Sequence, residues 1–508
     1  EGEGDLRSRI NPFDWNSKTT GFGEIMNPSQ SPLEKGGSKG GFDCVIGNPP
    51  YVRIQAMKEW ASIEVELYKG KYKTAKTGNY DIYVVFVEKG LSLLKRGGCL
   101  GYILPHKFFQ AQYGWPLRKL ITDSKSLQRI VDFTDCQIFE GASTYTNLLF
   151  LTNEPQKKFE YVQVKRQADI LACLSEKYKP TMISSNAVSS MPWTLGAPEE
   201  LGLLKKISQR LPTLADVANK IFVGLQTSAD TVFLFKTFKA KGKTHYIVFS
   251  KELDREVTIE SSLLKKVVRS GDIGRYYAEP KALVLFPYKI ENGKETLISQ
   301  KELEKAYPLT WEYLKENKKV LEEREHGKFK VSGWYQLYPK NLDGWEQSKL
   351  MIPYMVTRLS AHVDTDDNYY FVNVTTGGFG ITTDKVDLKY LSAILNSKLL
   401  DFCFKQISTN FRGGYFAANK QFIERLPICT IDFNNPAEKA THNKLVSLVD
   451  RMLELHKKKN SMPLSAEREK IEREIAVTDE KIDEIVYGLY GITEGERKII
   501  EGGGKSNS

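Results

Sequence analysis

The chain has 508 residues, enough for two to four domains that each bury a core. Hydrophobic residues make up 41% and charged residues 27%, and no apolar run approaches the length of a membrane span. This composition excludes disordered, fibrous and helical-membrane classes, leaves a soluble globular protein, and with a net charge of +10 favours an anionic partner. The chain opens "EGEGDLRSRI" with no initiating methionine, so we expect a fragment or a processed product. The stretch "NPSQSPLEKGGSKGG" at 27–41 is a Pro/Gly/Ser/Lys loop.

An α/β pattern follows. "FDCVIG" (42–47) reads as a buried strand that stops at Asn48-Pro49-Pro50-Tyr51. Residues 80–96 have helical apolar spacing and end at Gly97-Gly98, a helix stop. Strands are expected at 99–105, 127–134 and 145–153, with a short helix at 116–124. This order predicts a mostly parallel sheet that closes with an antiparallel hairpin. Residues 154–195 read as a linker with a few ordered pieces. From 196 to about 430 short aromatic-rich β-runs alternate with helical stretches, and 437–500 reads as two amphipathic helices joined around Met462-Pro463.

The cysteines, Cys44, Cys99, Cys136, Cys173, Cys403 and Cys429, are scattered and have no histidine at metal-ligand spacing. They point to a reducing cytoplasm and argue against a zinc site. A metal-dependent nuclease needs an acidic cluster with Glu-x-Lys. Glu316-Asn317-Lys318 has that form but lies in a charged helical run and reads as a solvated face, so no metal site is expected.

The tetrapeptide carries more chemistry. Carboxyl ends of parallel strands are where open α/β sheets bind ligands. Two prolines restrict the backbone there, so the Pro49 carbonyl is aimed without ladder hydrogen bonds. That carbonyl and the Asn48 side-chain oxygen offer two acceptors, and Tyr51 adds a flat ring. Accepting both hydrogens of an exocyclic amine on an aromatic heterocycle stabilises the positive charge that develops as its nitrogen attacks. The alternative is an ordinary turn that ends a strand.

"NPPY" after an apolar strand resembles catalytic motif IV of the AdoMet-dependent amino methyltransferases. The wider context resembles the adenine-N(6) DNA methyltransferases of restriction-modification systems, of the fused type IIG kind. "GNYDIYVVFVEKGLSLLKRGGCLGYILPHKFF" looks like motifs V and VI, and "IVDFTDCQIFEGASTYTNLLFL" like motif VIII and its hairpin. "LADVANKIFVGLQTSADTVFLF", "LLKKVVRSGDIGRYY" and "FRGGYFAANKQFIERLPI" resemble a TaqI-like target-recognition domain, and "DEKIDEIVYGLYGITEGE" the helical end of the fused enzymes.

The resemblance implies the C-terminal half of a Rossmann-like AdoMet methyltransferase sheet, then an α+β target-recognition domain and a helical segment. The corresponding boundaries are an irregular lead-in at 1–41, a partial catalytic domain at 42–155, a linker at 156–195, a recognition domain at 196–434, a helical segment at 435–500 and a disordered tail at 501–508. It implies that Asn48, Pro49, Pro50 and Tyr51 act on the amine, while Tyr51 and Phe139 sandwich the extruded base. Phe86, Asp43 and Pro105 would line the cofactor cleft, although a helical Phe is by default a core residue. Arg53, Lys107, Arg118, Arg269, Arg275 and Arg412 are candidates for DNA contacts, weighed against solvated surface positions or, for Arg269 and Arg275, a turn tied to an acid such as Asp272.

The implied partner is double-stranded DNA and the implied cofactor is S-adenosyl-L-methionine. The Gly-rich motif I is not recognisable in the 47 residues before Asn48, so the first half of the AdoMet fold is expected on an upstream polypeptide that also carries any nuclease. Two other readings stay open: a DNA-binding specificity fragment without catalysis, and a protein-glutamine methyltransferase, which also uses Asn-Pro-Pro-Tyr.

Overall fold

The computed structural model describes residues 40–76, 78–139, 144–164, 167–174, 179–209, 211–291, 294–338, 344–373, 375–411 and 413–502. Most of the lead-in (1–39) and of the tail (503–508) lies outside them. Two compact units form. The first takes the described residues up to Gly202 together with 409–411, and the second takes the remainder.

The first unit is built on a six-stranded sheet: β1 (Phe42–Gly47), β2 (Leu94–Pro105), β3 (Leu127–Asp132), β4 (Thr146–Thr152), β5 (Lys158–Gln163) and β6 (Thr181–Ser184), in the order β1-β2-β4-β3-β5-β6. β1 runs parallel to β2, β4 is antiparallel to both β2 and β3, and β3 is parallel to β5. The parallel pair needs a crossover, supplied by α1 (Ile54–Trp60), α2 (Ser62–Lys71) and α3 (Tyr83–Leu93). α4 (Trp115–Ser124) leads into β3. The expected mixed α/β order is therefore present, with the antiparallel β4 inserted between β2 and β3.

Three expectations change. β1 is not a buried strand: among the described strands it is the sheet's edge, with Asp43 and Cys44 exposed and Ile46 at 85% exposure. Gly97-Gly98 does not stop the helix, because α3 ends at Leu93 and β2 starts at Leu94. Gly97 instead takes a φ of +75° where the β1–β2 register jumps from Phe42↔Leu94 to Cys44↔Cys99, a bulge that a side chain would resist. Finally, residues 156–195 are not merely a linker, since β5 and β6 extend the sheet.

α3 packs Tyr83, Val84, Val85, Val87 and Leu93 into the core. Gly90 lets the helix approach β2, where an added Cβ would meet Leu100 Cδ1 at 2.4 Å.

The second unit holds a four-stranded sheet of β7 (Lys220–Val223), β14 (Lys349–Pro353), β15 (His362–Asp364) and β16 (Gly378–Thr382), in the order β15-β14-β16-β7. Between β7 and β14 in the chain come β8 (Leu234–Phe235), β9 (Phe238–Lys241), β10 (His245–Ser250), β11 (Arg255–Glu260), β12 (Leu264–Val267) and β13 (Ala282–Leu285). β9, β10 and β11 form an antiparallel sheet with β10 in the centre, and β12, β13 and β8 form another. Their shared core includes Phe222, Phe233, Trp345 and Tyr370. Two long helices close the chain, α5 (Pro436–Asn460) and α6 (Ala466–Leu489), cross-linked by Arg451–Glu474 and Lys459–Glu472. Among the described residues no helix is long and apolar enough to cross a membrane.

Candidate active site

β1, β2 and β3 point the same way, so their carboxyl ends share one sheet edge, and the start of the antiparallel β4 joins them there. The β1–β2 ladder runs to Gly47↔Tyr102, and Asn48 leaves it. Neither proline can donate a hydrogen bond, so pairing cannot continue. Pro49 is buried while Asn48 and Pro50 are exposed.

The turn is held on its far side as well. The Val52 carbonyl accepts from Ile82 N at 2.8 Å, and Ile54 N donates to the Tyr80 carbonyl at 2.9 Å. Tyr51, half-buried, donates its hydroxyl to the Ile103 carbonyl at 3.2 Å. Burial pushes its phenol up to about 12, which keeps it neutral and a donor. The Asn48 side chain makes no hydrogen bond to any described residue. The turn thus presents an amide that no described residue engages, on a backbone clamped before and after it.

The neighbouring strands bring further groups to this edge. Pro105 is buried at the end of β2, and His106 opens the short turn that follows. His106 Nδ1 lies 2.9 Å from Oδ1 of Asp132, the last residue of β3. Asp132 also accepts from Thr134 N at 2.9 Å and from the Tyr161 hydroxyl at 3.3 Å. The His106 N–H donates to the Tyr145 carbonyl at 3.1 Å, and the two rings are 5.9 Å apart. At the start of β4, Thr146 Oγ1 and Asn147 Oδ1 are buried without a partner among the described residues, while Asn147 Nδ2 donates to the Leu104 carbonyl.

His106 and Asp132 were not singled out from the sequence. Each is the polar residue that ends an apolar strand, "CLGYILPH" and "LQRIVD", and that position was the available signal.

Phe139 is half-buried in the segment after β3, so the topology places it on the same edge as Tyr51. Lys107 and Arg53 are exposed at that edge. Phe86 is not a core residue, being 40% exposed on α3. Asp43 is not brought to the edge: it is five residues earlier on β1, about 16 Å away by strand rise, and pairs with Lys95.

Three of the cationic candidates are engaged elsewhere. Arg118 is 1% exposed and donates to the carbonyls of Phe108, Ala111 and Ser190, and burial pushes its guanidinium down to about 10. It ties the turn after β2 to a later strap and does not reach solvent. Arg269 folds back on Asp272 at 2.7 Å, the turn-tying alternative. Arg275 forms a two-pronged pair with Asp479 at 2.7 Å from α6. Arg412 lies outside the described residues. Glu316 pairs with Arg255 and Lys318 with Glu322, and among the described residues no group of three His, Cys, Asp or Glu is placed to hold a metal.

The Arg118 assignment has a direct check. Arg118→Met is expected to leave the salt dependence of DNA binding unchanged and to cost about 3 kcal/mol of stability, because three carbonyls lose their donor. Weaker DNA binding with an unchanged thermal midpoint would restore the phosphate role.

Comparison with known proteins bears on the whole chain. Residues 1–139 match the family model of the Eco57I restriction-modification methylase, and residues 292–428 match the TaqI-like C-terminal specificity domain. The Type II restriction enzyme and methyltransferase RM.Eco57I of Escherichia coli is 29% identical over 481 residues, which cover 90% of this chain and 47% of that protein. The Type II methyltransferase M.XhoI of Xanthomonas vasicola is 25% identical over 479 residues, covering 90% and 76%. Among solved structures, the Type IIL restriction-modification enzyme MmeI in complex with DNA shares the fold. Its TM-score is 0.55 at 12% identity, over 89% of this chain and 54% of that one. The chain thus spans about half the length of RM.Eco57I and of MmeI.

Proposed function

We propose that this chain, in which an Eco57I-like methylase segment precedes a TaqI-like specificity domain, is the catalytic and recognition part of a site-specific DNA methyltransferase. It transfers a methyl group to the N(6) amine of an adenine turned out of the duplex. The carrying observation is the turn Asn48-Pro49-Pro50-Tyr51 at the carboxyl end of β1, with an amide that no described residue engages and a clamped backbone.

Asn48 Oδ1 and the Pro49 carbonyl accept the two amine hydrogens. As the nitrogen attacks, positive charge builds on it, and these two acceptors stabilise that charge. Tyr51, anchored through its hydroxyl to Ile103, offers a ring face to the base, and Phe139 closes the other side. Lys107 and Arg53, both exposed, meet backbone phosphates, which position the duplex without reading it.

S-adenosyl-L-methionine supplies the electrophilic methyl group when bound. The exposed ring of Phe86 and the buried Pro105 fit the adenosine side of such a cofactor, whereas Asp43 does not. The edge that β1 forms among the described strands, with Ile46 exposed, suits further strands from an upstream polypeptide that would complete the cofactor cleft.

That edge also favours a second reading, a specificity fragment that binds DNA and needs the upstream half for catalysis. Calorimetry of this chain with S-adenosyl-L-methionine separates the two: tight binding by the isolated chain removes the second. The main test is a labelled methyl donor with duplex DNA, followed by digestion to nucleosides. Label is expected on N(6)-methyladenine. Label on cytosine or on protein overturns the assignment of the acceptor.

A further inference from the structure

Residues 140–291 lie between the two matched family segments. Within them, 236–244 form an unbroken exposed run that contains Lys236, Lys239, Lys241 and Lys243. None of the four forms an ion pair with a described residue. Elsewhere in the unit lysines are commonly matched, as in Lys265–Glu346, Lys318–Glu322 and Lys389–Asp450.

The run is built as a ribbon. β9 is the outer strand of its sheet and pairs with β10 as Phe238↔Val248, Lys239↔Ile247, Ala240↔Tyr246 and Lys241↔His245. The pairing extends to Thr237, whose carbonyl accepts from Phe249 N at 3.0 Å. Ser261 N donates to the Thr244 carbonyl at 2.8 Å, which holds the tip, and Gly242 turns it with a φ of +69°. Alternation puts Phe238 and Ala240 on the face of Val248, which is fully buried, and Phe238 meets the Tyr246 ring at 6.1 Å. Lys239 and Lys241 project from the opposite face.

We propose that the β9–β10 ribbon is a DNA-backbone contact whose lysines neutralise phosphates and hold the duplex without reading its bases. This inference rests on the DNA methyltransferase reading above. Lysine suits the role as a flexible point charge, whereas base readout favours the forked guanidinium of arginine. The competing role of these lysines is to keep the outer strand β9 from pairing with another copy.

The test measures duplex affinity against salt for the full chain, for the variant K236Q/K239Q/K241Q/K243Q and for a control, K301Q/K305Q/K319Q/K330Q. The control removes the same charge from exposed positions elsewhere in the unit. Each phosphate contact contributes about 0.9 to the slope of log affinity against log salt. The ribbon variant is expected to lose about 1.8 or more of that slope, and with it roughly sixtyfold in affinity at ~0.1 M salt, equally on specific and random duplexes. The control is expected to keep the wild-type slope, as is the Lys→Arg version of the ribbon.

An unchanged slope in the ribbon variant overturns the proposal, as does an equal loss in the control. Wild-type affinity combined with self-association, seen by light scattering, assigns the lysines to edge protection instead. A wild-type chain with no salt-dependent DNA binding overturns the parent reading along with this one.

Discussion

Asn48→Ala is expected to lower methyl transfer by about 10²–10³-fold in an active preparation while leaving DNA affinity within about twofold. The magnitude is that of removing one preorganised polar partner from a site where charge develops only in the transition state, about 3–4 kcal/mol. Ground-state binding should be spared because the side chain is exposed and bonded to no described residue, so its loss breaks no hydrogen bond among them. For the same reason the thermal midpoint should not move. Asn48→Asp retains an acceptor and is expected to lose less. Single-turnover transfer of labelled methyl, with binding measured in parallel, reads both quantities. Loss of binding and transfer together would mean that the turn is a structural element only.

Asp364→Ala is the substitution expected to cost the most stability. Lys349 and Asp364 face each other at 2.6 Å across β14 and β15, with side chains 0% and 1% exposed. Lys349 also donates to the Trp345 carbonyl at 2.6 Å. Asp364 accepts from the backbone N–H groups of Tyr369 at 2.7 Å, Asn368 at 3.1 Å and Asp367 at 3.2 Å. Burial pushes the Lys349 ammonium below its usual range even though Asp364 pulls it up.

Removing the carboxylate strands a buried cation and three donors, and breaking such a pair from one side costs about 3–5 kcal/mol. Chemical denaturation followed by tryptophan fluorescence, with the buried Trp345 next to the pair, measures it. The double change Lys349→Met with Asp364→Asn should recover most of the loss, because the amide oxygen still takes backbone donors and no charge remains. A loss under about 1 kcal/mol from Asp364→Ala would mean that water reaches the pair.

Much of the first unit's order was legible. Apolar spacing located α3 and α4, and short apolar runs located β2, β3 and β4, because those periodicities report which face each element buries. The start of β2 was missed by five residues: Leu94–Gly98 has the composition of a helix end, and only the bulge at Gly97 makes it a strand. The cationic candidates divided by partner. Arg269 met Asp272, the nearby acid that the sequence offered, whereas Arg118 reached the Ser190 carbonyl and Arg275 found Asp479, 204 residues away, and no local pattern announces those two meetings.

The sequence by itself determined the tetrapeptide's chemistry. Two prolines end a strand wherever they fall in it, and an asparagine before them keeps its acceptor. Tertiary structure alone decided what surrounds that turn. It left β1 at the edge of the described strands, hung Tyr51 on Ile103, turned Phe86 outward, and joined His106 to Asp132 although β4 separates β2 from β3 in the sheet. The physical reason is that backbone restriction is a property of adjacent residues, whereas burial, pairing and charge compensation depend on which distant strands the sheet sets side by side.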